Sequence, residues 1–209
     1  MLKNLPLTEF IDELASSSPA PGGGSVSALA GSLSSALVYM VINLTISKEK
    51  FKEVEAEFNS LIQEVNDLKN RLCNYIDKDT EAFDKVMEAF KLPKNNEAEK
   101  EFRINSIQEA TKYAALLPLE VAKDCLGAMY LAKSVSEKGN PNALSDAGVA
   151  CLMAYAGLHG ALLNVEINIG SIKDPLFVSE LNSKKESILH EGKQLQEEIL
   201  KAIHHKLGN

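Results

Sequence analysis

Asp79 is the first residue in this sequence placed where chemistry could follow. Phe58, Leu61, Val65, Leu68, Leu72, Tyr75, Asp79, Ala82, Val86 and Ala89 recur at three- and four-residue steps, and Asp79 is the one charged member of that stripe. The spacing turns its carboxyl inward, with Tyr75 and Phe83 one turn away and Val86 two turns away. A carboxylate taken out of water must be paired, hydrogen-bonded or raised in pKa. A carboxyl raised toward neutrality can take up and return a proton. The same inward carboxylate could instead fix the register of the helix against its neighbours, as buried polar groups sometimes do. The residues alone support both readings equally.

A second set shares one helical face: Asp146, Ala150, Met153, Gly157, Gly160, Asn164 and Asn168. Asn164 and Asn168 stand one turn apart and point the same way, and the small residues between them and Asp146 permit close backbone approach. Asp146 in a first helical turn also suits the helix dipole, and asparagines near a helix end are often exposed; neither role accounts for their alignment with the small-residue face. The third feature is Pro19-Ala20-Pro21-Gly22-Gly23-Gly24-Ser25, leading into a helix. Consecutive glycines beside a helix N-terminus expose backbone amides that can bind an anion or a carbonyl oxygen. A tight turn with Ser25 as N-cap is the plainer reading. The run matches neither the P-loop nor the dinucleotide fingerprint. His159, His190, His204 and His205 have no metal-ligand spacing, and no serine-hydrolase elbow exists, so a metal site is not expected.

The elements that must position these residues are helices. A short one is expected over Thr8 to Ser16, stopped by the Ser/Pro/Gly run. Ser25 to Ser47 has no charged residue and reads as a helix buried all round rather than a membrane span, since it is rich in Ser, Ala and Gly and lacks aromatic and basic flanks. The heptad stripe predicts a long helix closed by Pro93. Glu97 to Ser136 follows, either one helix kinked at Pro118 or two. Gly139-Asn140-Pro141-Asn142 is a turn, with Asn140 as N-cap for a second nearly uncharged helix over Leu144 to Ile169. Asp174-Pro175 opens the last helix, with Leu181, Ile188, Leu195, Ile199 and Ile203 inward. No strand is expected. The whole of 1–209 reads as a single all-α domain, a helical bundle with two nearly uncharged core helices.

Composition narrows the function classes. The chain has 209 residues, 45% hydrophobic, with a formal net charge of −7. Only Arg71 and Arg103 are arginines, which argues against a nucleic-acid partner. Cys73, Cys125 and Cys151 are widely spaced, without C-x-x-C, and suit small core positions in a reducing cytoplasm. The N-terminus is amphipathic and carries acids, unlike a secretory leader.

The segment PAPGGGSVSALAGSLSSALVYMVINLT resembles the opening of the cyclodeaminase/methenyltetrahydrofolate cyclohydrolase family. DKDTEAFDKVMEAFKLP, GNPNALSDAGVA and LNVEINI fit the family in the same order, so the resemblance covers nearly the whole chain. It implies an all-α, dimeric, metal-free enzyme acting on one-carbon units of tetrahydrofolate, with no cofactor beyond that substrate. The positions that carry over are Pro21, Gly22, Gly23, Gly24, Ser25, Asn140, Ser145, Asn164 and Asn168 for substrate binding. Asp79 and Asp146 carry over as the acid/base or cation-stabilising pair.

Two reactions belong to the family: hydrolysis of 5,10-methenyltetrahydrofolate to 10-formyltetrahydrofolate, and closure of 5-formimidoyltetrahydrofolate to the methenyl compound with loss of ammonia. Hydrolysis is expected here because the chain lacks the transferase domain to which cyclodeaminases are fused in some animals. A helical dimerisation module without chemistry is the alternative of another class; it leaves the triple glycine and the Asn/Asp face without a purpose.

Overall fold

The computed structural model describes residues 1–208, and its architecture follows from how six helices divide the apolar surface. They are α1 (Leu7–Leu14), α2 (Gly23–Ile46), α3 (Lys52–Lys91), α4 (Glu97–Lys138), α5 (Leu144–Ile169) and α6 (Pro175–Lys206). No strand occurs among the described residues. The uncharged α2 and the nearly uncharged α5 lie side by side and antiparallel. Gly23 stands against Asn164, Gly160 against Ser27, and Gly157 against Ser27 and Gly31, while at the far end Asn140 bonds Thr45. The charged helices α3 and α4 form a long antiparallel hairpin behind that pair, tied by Arg71–Asp124 and Lys138–Glu57. Helix α6 covers α4 and α5, through Lys133–Glu198 and Lys185–Glu166.

Small residues make the α2–α5 contact close. A Cβ on Gly157 would stand 2.7 Å from the carbonyl oxygen of Ser27 and 2.9 Å from Cys125 Sγ. Of the hydroxyls that keep α2 from reading as pure hydrocarbon, those of Ser27, Ser35 and Thr45 bond their own helix, at Gly23 O, Gly31 O and Val41 O. Those of Ser25 and Ser32 reach across to α3, at Ile76 O and Lys69 O, and Ser34 is buried without a partner among the described residues. Helix α2, and α5 with the turn before it, are long and apolar enough to cross a membrane, but 56% and 50% of their most apolar windows are buried inside the protein.

Three expectations are refined. The inward stripe of α3 buries Ile76, leaving Tyr75 only half-buried, because an untwisted α-helix drifts from a strict seven-residue repeat. Helix α2 begins at Gly23 with Gly22 as its N-cap, so Ser25 sits inside the first turn. The 97–138 region is one continuous helix with Pro118 buried within it. Proline lacks the N–H that would bond the carbonyl four residues back, and Ala114 O instead accepts from Asn168 Nδ2 at 3.0 Å. Asn140 does cap the turn before α5, accepting from Asn142 N.

Candidate active site

Helices α2 and α5 stop short of the α3–α4 hairpin, which runs on past them, and a cleft of about 290 Å³ lies in the step. Its walls come from Pro19, Ala20 and Gly22–Gly24 on one side, Asp79, Ala82, Phe83 and Val86 of α3 on another, and Ala114, Asn164, Ile167 and Asn168 closing it. That volume suits a fused bicycle better than a whole elongated ligand. Asp79 is the only charged residue in the lining.

Asp79 sits beside the N-terminus of α2. Its Oδ2 accepts the Ser25 hydroxyl at 3.0 Å, and the same hydroxyl lies 3.0 Å from Ile76 O. Burial pushes the Asp79 carboxyl above the ordinary carboxylate range, while the Ser25 hydroxyl and backbone pull it partly back. A carboxyl with opposing influences of this kind is suited to proton exchange. Gly24 makes the approach possible, since a Cβ there would fall inside the Asp79 carboxylate. The glycine run is thus more than a turn: its third member makes room for the carboxyl. The first backbone N–H of α2 with an intrahelical acceptor is Val26, bonded to Gly22 O. The amides of Gly23 and Gly24 are the unfilled donors of this helix start, while that of Ser25 faces Asp79.

The asparagines present the opposite polarity. Asn164 Nδ2 donates to Gly160 O at 2.9 Å. Asn168 Nδ2 donates to both Ala114 O and Asn164 O. Each carboxamide is oriented by its nitrogen, which leaves the oxygen as the acceptor available to a ligand. The side-chain wall is therefore acceptor-rich and carries one negative charge, while Phe83, Val86 and Ile167 supply the apolar surface.

The structure brings Gly22, Gly23, Gly24, Ser25, Asp79, Asn164 and Asn168 together, with Pro21 buried in the same loop. It does not bring the rest. Asp146 and Ser145 lie at the other end of α5, about 27 Å from Asn164 at the α-helical rise. Asn140 is buried there, its backbone amide bonded to Thr45 Oγ1 and its side chain to Leu44 O and Asn142 N. Within one chain it is a structural junction. Sequence reading missed Ala114 and Ile167 as cleft residues. Pro118 was the available signal for Ala114, since a proline inside a helix frees the carbonyl four residues earlier. Ile167 had no signal beyond its place between the two asparagines. The thiols take no part in the cleft: burial pushes Cys125 up and Cys151 up to about 11. Among the described residues no three His, Cys, Asp or Glu converge as metal ligands.

A helical bundle with a buried carboxyl at a glycine-rich helix start, facing oriented asparagines, defines an enzyme-like site for a small donor-bearing or cationic ligand. Residues 6–204 match the family described as formiminotransferase-cyclodeaminase, and the chain belongs to that family. It is 44% identical over 208 residues to a methenyltetrahydrofolate cyclohydrolase of Methylorubrum extorquens, covering 100% of both chains. It is 32% identical to the formimidoyltransferase-cyclodeaminase of Mus musculus, aligning 92% of this chain with 36% of that longer protein. The crystal structure of formiminotetrahydrofolate cyclodeaminase from Thermotoga maritima superposes with a TM-score of 0.88 at 29% identity, covering 99% of this chain and 100% of that one.

Proposed function

We propose that this protein is a tetrahydrofolate one-carbon enzyme that hydrolyses 5,10-methenyltetrahydrofolate to 10-formyltetrahydrofolate. The observation that carries the reading is the cleft's single charge: a largely buried carboxyl, raised in pKa and otherwise surrounded by neutral groups. The methenyl substrate is a cation at its reacting carbon, and a fixed carboxylate in a poorly solvated site attracts it strongly. The 44% identity to a cyclohydrolase over the full length of both chains supports the same choice.

In this mechanism the Asp79 carboxylate holds the amidinium and takes a proton from the attacking water. A tetrahedral carbon forms, bonded to both the 5- and 10-nitrogens and the new hydroxyl. The bond to the 5-nitrogen then breaks, Asp79 returns its proton to that nitrogen, and the hydroxyl proton leaves as the formyl group forms. Asn164 and Asn168 accept from the pterin edge, and the Gly23 and Gly24 amides meet its carbonyl oxygen.

The cyclodeaminase reaction is the second reading, favoured by the Thermotoga neighbour. That neighbour also removes the argument from chain length, because a chain of the same extent carries the cyclodeaminase name. The enzyme is proposed to be a cytoplasmic homodimer working without metal or cofactor and without nucleic-acid or membrane partners, in keeping with its acidic charge.

One absorbance trace per substrate tests the reaction. Purified protein is expected to bleach the methenyl chromophore well above the buffer rate. Formation of that chromophore from formimidoyltetrahydrofolate, with no acceleration of hydrolysis, would assign the cyclodeaminase reaction instead. Inactivity on both would leave a non-enzymatic helical module.

A further inference from the structure

The cleft accounts for only part of the proposed substrate. Its volume of about 290 Å³ holds a fused bicycle, whereas a tetrahydrofolate also carries a benzoyl ring, an amide and a glutamate beyond its 10-nitrogen. That remainder needs an apolar floor and, at its end, a donor for carboxylates. The α3–α4 hairpin, which runs on past α2 and α5, is the surface that leads out of the cleft.

Helical periodicity gives that surface its lining. On α3, Asp79, Phe83 and Val86 line the cleft, and Phe90 is the next residue on the same face, half exposed. On α4, the stripe that presents Ala114 to the cleft continues outward through Ala110 and Ile107 to Arg103. The two stripes meet at their outer ends. Arg103 Nε and Nη2 donate to Phe90 O at 3.2 and 3.0 Å, and the guanidinium lies 5.7 Å from the centre of the Phe90 ring. The groove therefore begins at a carboxyl and ends at a guanidinium.

Arg103 is held in place without being neutralised. Among the described residues it forms no ion pair and its Nη1 bonds nothing, whereas Arg71 is matched by Asp124. Glu99, one turn away on α4, is spent on the helix start, where its oxygens accept from Asn95 N and Asn96 Nδ2. Lys85 lies over the Tyr113 ring and Lys112 pairs with Asp174. Capping a C-terminal carbonyl of α3 accounts for the Nε and one Nη2 donor. It leaves open the Nη1–Nη2 edge, a fork that grips a carboxylate through two parallel bonds. The distances agree. The helical rise is about 16 Å both from Asp79 to Phe90 and from Ala114 to Arg103. An extended aminobenzoylglutamate reaches about 13 Å from the 10-nitrogen to its farther carboxylate, and a hydrogen bond adds about 3 Å.

Resting on the folate reading given above, we propose that Arg103 binds the farther glutamate carboxylate of the substrate, with the benzoyl ring laid along Val86 and Phe90. Arg103 is then a specificity residue. It favours the glutamate-bearing substrate over one that stops at the benzoyl group, and it touches none of the reacting atoms.

Two substrates separate this role from helix capping: 5,10-methenyltetrahydrofolate, and 5,10-methenyltetrahydropteroate, whose benzoate is too short to reach Arg103. Arg103→Gln is expected to raise KM for the first by at least about tenfold, the worth of a charge-assisted pair, with kcat changed far less. For the second its KM is expected to match that of the wild type. Arg103→Lys keeps the charge but not the fork, and its KM for the first is expected to fall between the two. A loss equal on both substrates makes Arg103 a cap for α3 and overturns the proposal, as does an unchanged KM for the first. Titration with p-aminobenzoylglutamate, which has no reacting carbon, reads the contact without catalysis. The wild type is expected to bind it at least about tenfold more tightly than Arg103→Gln. Equal affinity, or no binding by either chain, overturns the subsite even where the methenyl substrate is hydrolysed. The tenfold difference in a protein inactive on that substrate sustains the subsite and sinks the proposed reaction.

Discussion

Asp79 is held between burial, which favours its neutral form, and Ser25, which favours its charged form. Two predictions follow from that balance. Because its folded pKa is raised, the stability gained by binding the proton is present at low pH and is lost as pH rises through the folded value. Asp79→Asn keeps a neutral side chain at every pH. It should therefore raise the melting temperature near pH 8 by about a few degrees, the range for a single stabilising substitution, and the gain should shrink as pH falls below the folded value; a thermal melt at each pH checks this. In the proposed hydrolysis Asp79 acts first as a base, so kcat/KM rises with pH through its pKa. Ser25→Ala removes a hydrogen bond that lowers that pKa, and the rising limb should move to higher pH. A limb that stays in place, or moves to lower pH, rejects Asp79 as the titrating base. The inward carboxylate at position 79 was legible from spacing alone. Its partner was not, because Ser25 and Asp79 are 54 residues apart and meet only through the packing of α2 on α3.

Among the helices, two backbone features invite substitution. Gly157 lies where α5 crosses Ser27 and Gly31 of α2, with a carbonyl oxygen 2.7 Å from where a Cβ would be. Backbone cannot yield there as a side-chain end could. Gly157→Ala should destabilise by about 1–3 kcal/mol, the range for overpacking, as read by urea titration. Gly24→Ala should act differently, since its Cβ would displace the Asp79 carboxyl rather than separate two helices. Turnover should fall at least about tenfold, an effect on the order of a displaced catalytic group, with a smaller change in urea midpoint than for Gly157→Ala. Pro118 gives a further case. Supplying an N–H with Pro118→Ala creates a helical competitor for Ala114 O, the acceptor that orients Asn168. KM should rise a few-fold, on the order of a loosened hydrogen bond, with kcat little changed, and an unaltered KM would show that Asn168 is held without it.

For the molecule as a whole, the outer face of α2 and α5, where Leu33, Met40, Val149 and Leu152 are exposed, predicts a dimer. Light scattering should give twice the 22.7 kDa chain mass. Leu33→Glu, at the centre of the face, places a charge where the contact would bury it and should shift the mass to that of one chain at micromolar concentration. A dimer that survives this change would place the interface elsewhere.

The helices themselves, their order and most of their inward residues were readable in the sequence, because hydrophobic period and capping residues act over one or two turns. The 40-residue α3 followed from its repeat and the Asn140 cap from its neighbours. So did the glycine start of α2, apart from a shift of the cap from Ser25 to Gly22. Half the site was also marked by residue type: an inward Asp and two aligned Asn. What the sequence could not supply was distance. Asp79 and Asp146 looked alike as lone carboxylates on apolar faces, but the antiparallel packing of α2 and α5 puts Asn164 at the cleft and Asp146 at the far end of the same helix. The carbonyl freed by Pro118 likewise became meaningful only when α5 brought Asn168 beside it. Helical periodicity determines which way a side chain points; only the packing of helices against each other determines what it points at.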